Sequence, residues 1–110
     1  MAYDYEITDK AKVDIDRALN YIVVELSNVK AASNLIYEIE EAIKRICDYP
    51  FSYPDCSYFY IKDTNYRHAI IKNYTLVYYI SKNKIIIIRF KQSRQNNILG
   101  RWFIWRKKYY

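Results

Sequence analysis

Glycine is almost missing from this 110-residue chain: there is one, Gly100. A phosphate-cradling loop needs several, because backbone N–H groups close around a phosphate only where no Cβ intervenes. Nucleotide-dependent chemistry is therefore not expected. Histidine is equally scarce, with His68 alone, so a Ser/His/Asp or Cys/His apparatus is poorly supported. The two cysteines, Cys47 and Cys56, have no metal-ligand spacing and read as free thiols of a reducing compartment. No metal and no cofactor is expected. A run of roughly eighteen apolar residues, the minimum for a membrane span, does not occur. The N-terminus, MAYDYEITDK, has no apolar core behind a basic start, so a cytoplasmic location is expected by default. Only two prolines are present and 52% of the residues are hydrophobic, which marks a folded chain. The length fits one domain, 1–110, ending in a basic aromatic tail, 101–110.

What is present is an uneven distribution of charge. Residues 1–57 carry six Lys/Arg against eleven Asp/Glu, a balance of −5. Residues 58–110 carry twelve Lys/Arg and a single acid, Asp63, a balance of +11. Such a split suits an anionic partner for the second half, nucleic acid or an acidic protein segment; the alternative is a solvated surface neutralised by the acidic half.

The stretch 66–96 organises the rest. Tyr74 to Ile80 reads as a strand, Ser81 to Lys84 as a turn with Asn83 able to take positive φ, and Ile85 to Phe90 as a second strand. Four consecutive isoleucines, Ile85 to Ile88, predict a strand covered on both faces. With Tyr66 to Lys72 as a preceding strand, an antiparallel meander results.

Upstream, Tyr3 to Ile7 alternates and predicts a short strand. Thr8 or Asp9 can cap a helix carrying Ala11, Ile15, Ala18, Leu19, Ile22, Val23 and Leu26 as one stripe. Ser27-Asn28 breaks it. A second stripe follows, Val29, Ala32, Ile36, Ile39, Ile43 and Ile46, with Glu38, Glu40 and Glu41 toward solvent. Pro50 and Pro54 belong to a loop. Residues 58–61 suggest a short strand, and Arg94 to Leu99 a short helix capped by Gly100. The fold class is α+β: a helical hairpin on one face of an antiparallel sheet of about four strands, the other face open and displaying basic residues and tyrosines.

A basic face interleaved with tyrosines suits RNA, since cations hold phosphates and rings stack on unpaired bases. Metal-free RNA cleavage needs a base for the 2′-hydroxyl, cations for the phosphorane and an acid for the leaving oxygen. The candidates are Arg67, His68, Lys72, Arg89, Lys91 and Arg94, with Tyr74, Tyr78 and Tyr79. Strand alternation sends Arg67 and His68 to opposite faces, and likewise Tyr78 and Tyr79. A hydrogen-bonded structural role for His68, and plain packing for the tyrosines, are the competing assignments.

The order Tyr66-Arg67, Asn73-Tyr74-Thr75-Leu76-Val77-Tyr78, Ile88-Arg89-Phe90 and Arg94-Gln95-Asn96 resembles the RelE/ParE superfamily of type II toxin–antitoxin toxins, over nearly the whole chain. That resemblance implies a small growth-arresting toxin, monomeric alone and neutralised by a cognate antitoxin that wraps it with an extended or helical segment. It implies one of two targets. RelE-like members cleave mRNA in the ribosome without a metal; ParE-like members inhibit DNA gyrase and are not enzymes. The first would use Arg67, His68, Arg89, Lys91 and Arg94 for catalysis, with Lys72, Tyr74, Tyr78, Tyr79 and Gln92 on the RNA, and the basic second half leans the reading that way. Thr75, Gln92, Gln95 and Asn96 stand where RelE-like members carry arginine, histidine, arginine and aspartate. A toxin that only binds its antitoxin is the remaining alternative. The tail, with Trp102, Phe103, Ile104 and Trp105 among cations, suits packing on the sheet or the antitoxin, or an anionic membrane surface.

Overall fold

The computed structural model describes residues 3–57 and 61–93. The segment 58–60, Arg94, the expected helix at 94–99 and the tail lie outside the described residues.

The chain opens with strand β1 (Asp4–Ile7), then helix α1 (Asp9–Asn20). Thr8 is the cap: its Oγ1 accepts from the Ala11 N–H at 3.2 Å, satisfying a first-turn donor that has no partner within the helix. One π-helical turn, Tyr21–Glu25, follows. Helix α2 (Val29–Asp48) starts at Asn28, whose Oδ1 accepts from the Ala31 N–H at 3.0 Å. A 3-10 turn, Pro50–Ser52, leads through a loop to strands β2 (Tyr66–Ile71), β3 (Tyr74–Ser81) and β4 (Lys84–Gln92).

The sheet order is β1-β4-β3-β2. β2, β3 and β4 form the expected antiparallel meander. β1, in contrast, runs parallel to β4. Far more than a hairpin turn separates the two strands, and a parallel pair requires a long crossover of this kind. Each hairpin of the meander turns through two residues, Lys72-Asn73 and Lys82-Asn83, and the positive φ falls on the lysine each time, at 55° and 56°. The expected strand end at Lys72 and the expected left-handed Asn83 are both corrected here: the first central position of a two-residue turn carries the twist that matches the strands.

The hairpin of helices covers one sheet face. Ala11, Ala18, Ile22, Leu35, Ile39, Ala42, Ile43 and Ile46 meet Leu76, Tyr78, Ile80, Ile85, Ile87 and Phe90. Val23 and Leu26 leave the expected stripe and are exposed. The π turn, closed by Leu26 N–H to the Tyr21 carbonyl at 3.2 Å, inserts a residue and shifts the helical phase there. Val29 and Ile36 are exposed as well, and Leu35 and Ala42 take the buried positions.

The opposite face is not open. Cys56 and Ile61 cover it, packing with Tyr66, Val77, Ile86 and Ile88. The loop is held along β2 by Cys56 N–H to the Tyr66 carbonyl and His68 N–H to the Pro54 carbonyl. All four isoleucines are thus buried, alternately in the two cores. Among the described residues, no helix is long and apolar enough to cross a membrane.

Candidate functional site

Register sorts the basic and tyrosine residues onto two faces. Arg67 pairs with Tyr78 on the helix-covered face, with Tyr74 in the same set. His68 pairs with Val77, and Val77 with Arg89, on the other face; Thr75 and Lys91 form the next rung. A bulge makes this possible. Val77 faces Arg89 while Tyr78 faces Ile87, so Ile88 is the extra residue. The bulge resets alternation and sends Arg89 to the face of Ile88, with Lys91 following two residues on.

Arg67 is consumed by the backbone. Its Nε donates to the Thr64 carbonyl at 2.9 Å, and Nη1 to the carbonyls of Phe51 at 3.0 Å and Tyr53 at 2.7 Å. Its guanidinium carbon also lies 5.0 Å from the centre of the Phe51 ring. This is a loop clamp. Tyr78 is fully buried and donates to the Pro50 carbonyl at 2.6 Å; burial pushes its hydroxyl pKa well above the usual phenol range, so it moves no proton near neutrality. Tyr74 is stacked on Phe90 at 4.8 Å and Tyr79 lies 4.5 Å from Tyr66. His68 is half-buried, with Nδ1 3.9 Å from the Cys56 Sγ. Burial lowers its pKa and raises that of Cys56 to about 12, so both are held neutral.

Arg89 and Lys91 converge on Asp14, a residue of α1 with only 2% of its side chain exposed. Arg89 donates twice, Nε to Oδ2 at 2.8 Å and Nη2 to Oδ1 at 3.2 Å. The Phe90 N–H adds a bond to Oδ2 at 3.0 Å, and Lys91 Nζ lies 2.9 Å from Oδ1. Burial alone would raise the carboxyl's pKa, but the bonds from Arg89, Phe90 and Lys91 prevail and hold it below the usual carboxylate range. The placement has a local cause. β1 ends at Ile7, and beyond it the edge of β4 is satisfied from the helix side: Thr8 takes the Ile87 and Ile88 carbonyls, and Asp14 takes the Phe90 N–H. Sequence reasoning missed Asp14. Its signal was phase, an acid three residues after Ala11 and four before Ala18 on the apolar stripe.

Two adjoining grooves run from this cluster along the end of the sheet. One, about 400 Å³, has Arg17, Tyr21, Phe90 and Lys91 in its lining; the next, about 350 Å³, has Ile22, Leu26, Leu35 and Lys72. They share Tyr21, Tyr74 and Gln92 and so form one trough between the hairpin and the β2–β3 turn. Its floor is apolar, and Tyr21 and Leu26 stand about half exposed on its wall, at 47% and 55%. Its charged lining is Arg17, Lys72 and Lys91 against Asp14. Lys72 and Gln92 therefore sit at this trough, and among the described residues Lys91, engaged with Asp14, is the expected catalytic group that lines it. Thr75 is buried, its Oγ1 2.8 Å from the Ser93 Oγ.

A family model described as the ParE toxin of the type II toxin–antitoxin system parDE matches residues 5–97. A solved structure titled "Chromosomal ParDE TA system from P. aeruginosa" has a TM-score of 0.67 at 17% identity, covering 83% of this chain and 96% of that one. At that identity the likeness speaks for the fold. No curated protein matches.

Proposed function

Because this chain belongs to the ParE toxin family of type II toxin–antitoxin systems, we propose that it arrests growth by binding and inhibiting DNA gyrase, without cleaving RNA. The carrying observation is the fate of the groups that cleavage would need. Among the described candidates, Arg67 is bonded to three carbonyls, Arg89 and Lys91 to Asp14 and Tyr78 to Pro50, and His68 is half-buried beside the Cys56 thiol. General acid–base work needs a group that can give or take a proton near neutrality at an accessible atom. Inhibition by binding needs none.

The trough supports an antitoxin partner. An apolar floor with a net cationic rim suits an acidic, amphipathic segment laid between the hairpin and the sheet end, and opposite charge also speeds encounter. In this reading residues 1–110 act as one domain in the cytoplasm, monomeric until the antitoxin binds.

A supercoiling assay with purified gyrase tests the proposal beside an mRNA-cleavage assay with programmed ribosomes. Gyrase inhibition with intact message is the expected pair of results. Codon-positioned cleavage with gyrase unaffected would overturn it.

A further inference from the structure

We propose that Asp14 is a specificity-determining residue: it fills, with a built-in carboxylate, the place a nucleic-acid phosphate would take between Arg89 and Lys91. The inference rests on the non-nucleolytic reading above and says what enforces it.

Four donors meet at this point, and Asp14 takes them all. Oδ2 accepts from Arg89 Nε and from the Phe90 N–H; Oδ1 accepts from Arg89 Nη2 and is paired with Lys91. A guanidinium fork, an ammonium and a backbone N–H at a sheet edge are also the donors a phosphate oxyanion seeks. With the carboxylate present, each oxygen has two donors, so the Arg89 Nε and Nη2 hydrogens, the Phe90 N–H and the Lys91 ammonium are aimed at Asp14 rather than at a ligand. The carboxylate is tethered to α1, whose cap Thr8 is itself bonded to the Ile88 carbonyl at 3.1 Å. A phosphate would have to expel a buried, permanently attached competitor. Arg17, exposed and lining with Asp14 both the trough and a separate groove walled by Lys10, Val13 and Arg89, adds to the field around the site.

Asp14→Asn removes the charge and keeps an oxygen for the Phe90 N–H. The expected result is a latent phosphate site. Fluorescence anisotropy of the full chain with a single-stranded RNA oligonucleotide, across a salt series, reads it out. Asp14→Asn should bind roughly tenfold tighter than wild type. Its log K against log salt slope should steepen by about 1.4, the value for two added single-strand phosphate contacts at about 0.7 each. Lys91→Gln should reverse much of that gain in the Asp14→Asn background, yet change wild-type affinity less than about twofold, because Lys91 is already engaged. The basic tail is common to all variants and cancels.

A folded Asp14→Asn protein with unchanged affinity and slope would overturn the proposal. So would a tenfold loss on Lys91→Gln in the wild-type background, which decides the matter even if Asp14→Asn does not fold. Wild-type gyrase inhibition is scored separately. Gyrase inhibited with no gain in Asp14→Asn removes only the role of Asp14; gyrase unaffected with the gain present removes only the target.

Discussion

The Tyr78 hydroxyl donates a 2.6 Å hydrogen bond to the Pro50 carbonyl, 28 residues earlier, inside the core. It ties the loop after α2 to the central strand. Tyr78→Phe leaves that carbonyl without its partner, and an unpaired buried acceptor costs about 1–3 kcal/mol. Urea unfolding should show that loss with an unchanged slope. Growth arrest at a permissive temperature should persist, since the phenol does no chemistry here.

Asp14 and Arg89 should respond unequally to substitution. The carboxylate is 2% exposed and the guanidinium 21%. Removing Arg89 leaves the buried anion with Lys91 and the Phe90 N–H alone, at a cost toward the low end of about 3–5 kcal/mol. Removing the anion leaves a guanidinium that can reach water. Arg89→Ala should therefore unfold at lower urea than Asp14→Asn at neutral pH. Equal midpoints would contradict the burial asymmetry. Loss of toxicity in Arg89→Ala alone would consequently report instability rather than an active site.

His68 sets the expected pH dependence of stability near neutrality. Burial holds its folded-state pKa below the ordinary imidazole value of about 6.5. The unfolded chain then binds the proton first as pH falls, so stability is complete above about 6.5 and declines below it, toward the folded-state value. Asp14 acts in a different window: its lowered pKa makes its contribution complete above about 4 and lost in stronger acid. Urea midpoints at pH 7.5 and 5.5 should differ in wild type, and the difference should shrink in His68→Asn.

The thiols give a kinetic check on the second core. Cys47 and Cys56 are free and fully buried, and burial raises the pKa of both. A thiol that stays protonated reacts slowly. The native protein should resist a disulfide-exchange reagent at pH 8, and both cysteines should react promptly in denaturant. Fast labelling of native Cys56 would mean the loop over Val77 and Ile86 is not seated.

Much of this was legible from residue spacing. The isoleucine run announced a strand buried on both sides, and the hairpin and meander followed from period and turn chemistry. Two things were not legible, for physical reasons. The π turn at Tyr21–Glu25 changes phase within a sequence whose apolar pattern continues smoothly, so Val23 and Leu26 read as core. The bulge at Ile88 resets alternation in a run with no glycine to mark it, so the meeting of Arg89 and Lys91 with Asp14 could not be read from strand parity. The sequence displays the cations themselves. What they bind is fixed by long-range register, which a single sequence does not display.

The most direct measurement is induction of this chain alone in growing cells, with mRNA 5′ ends mapped while nucleoids are imaged. The account predicts arrest with intact messages, DNA damage and abnormal nucleoids. New 5′ ends positioned by codon, with normal nucleoids, would contradict it.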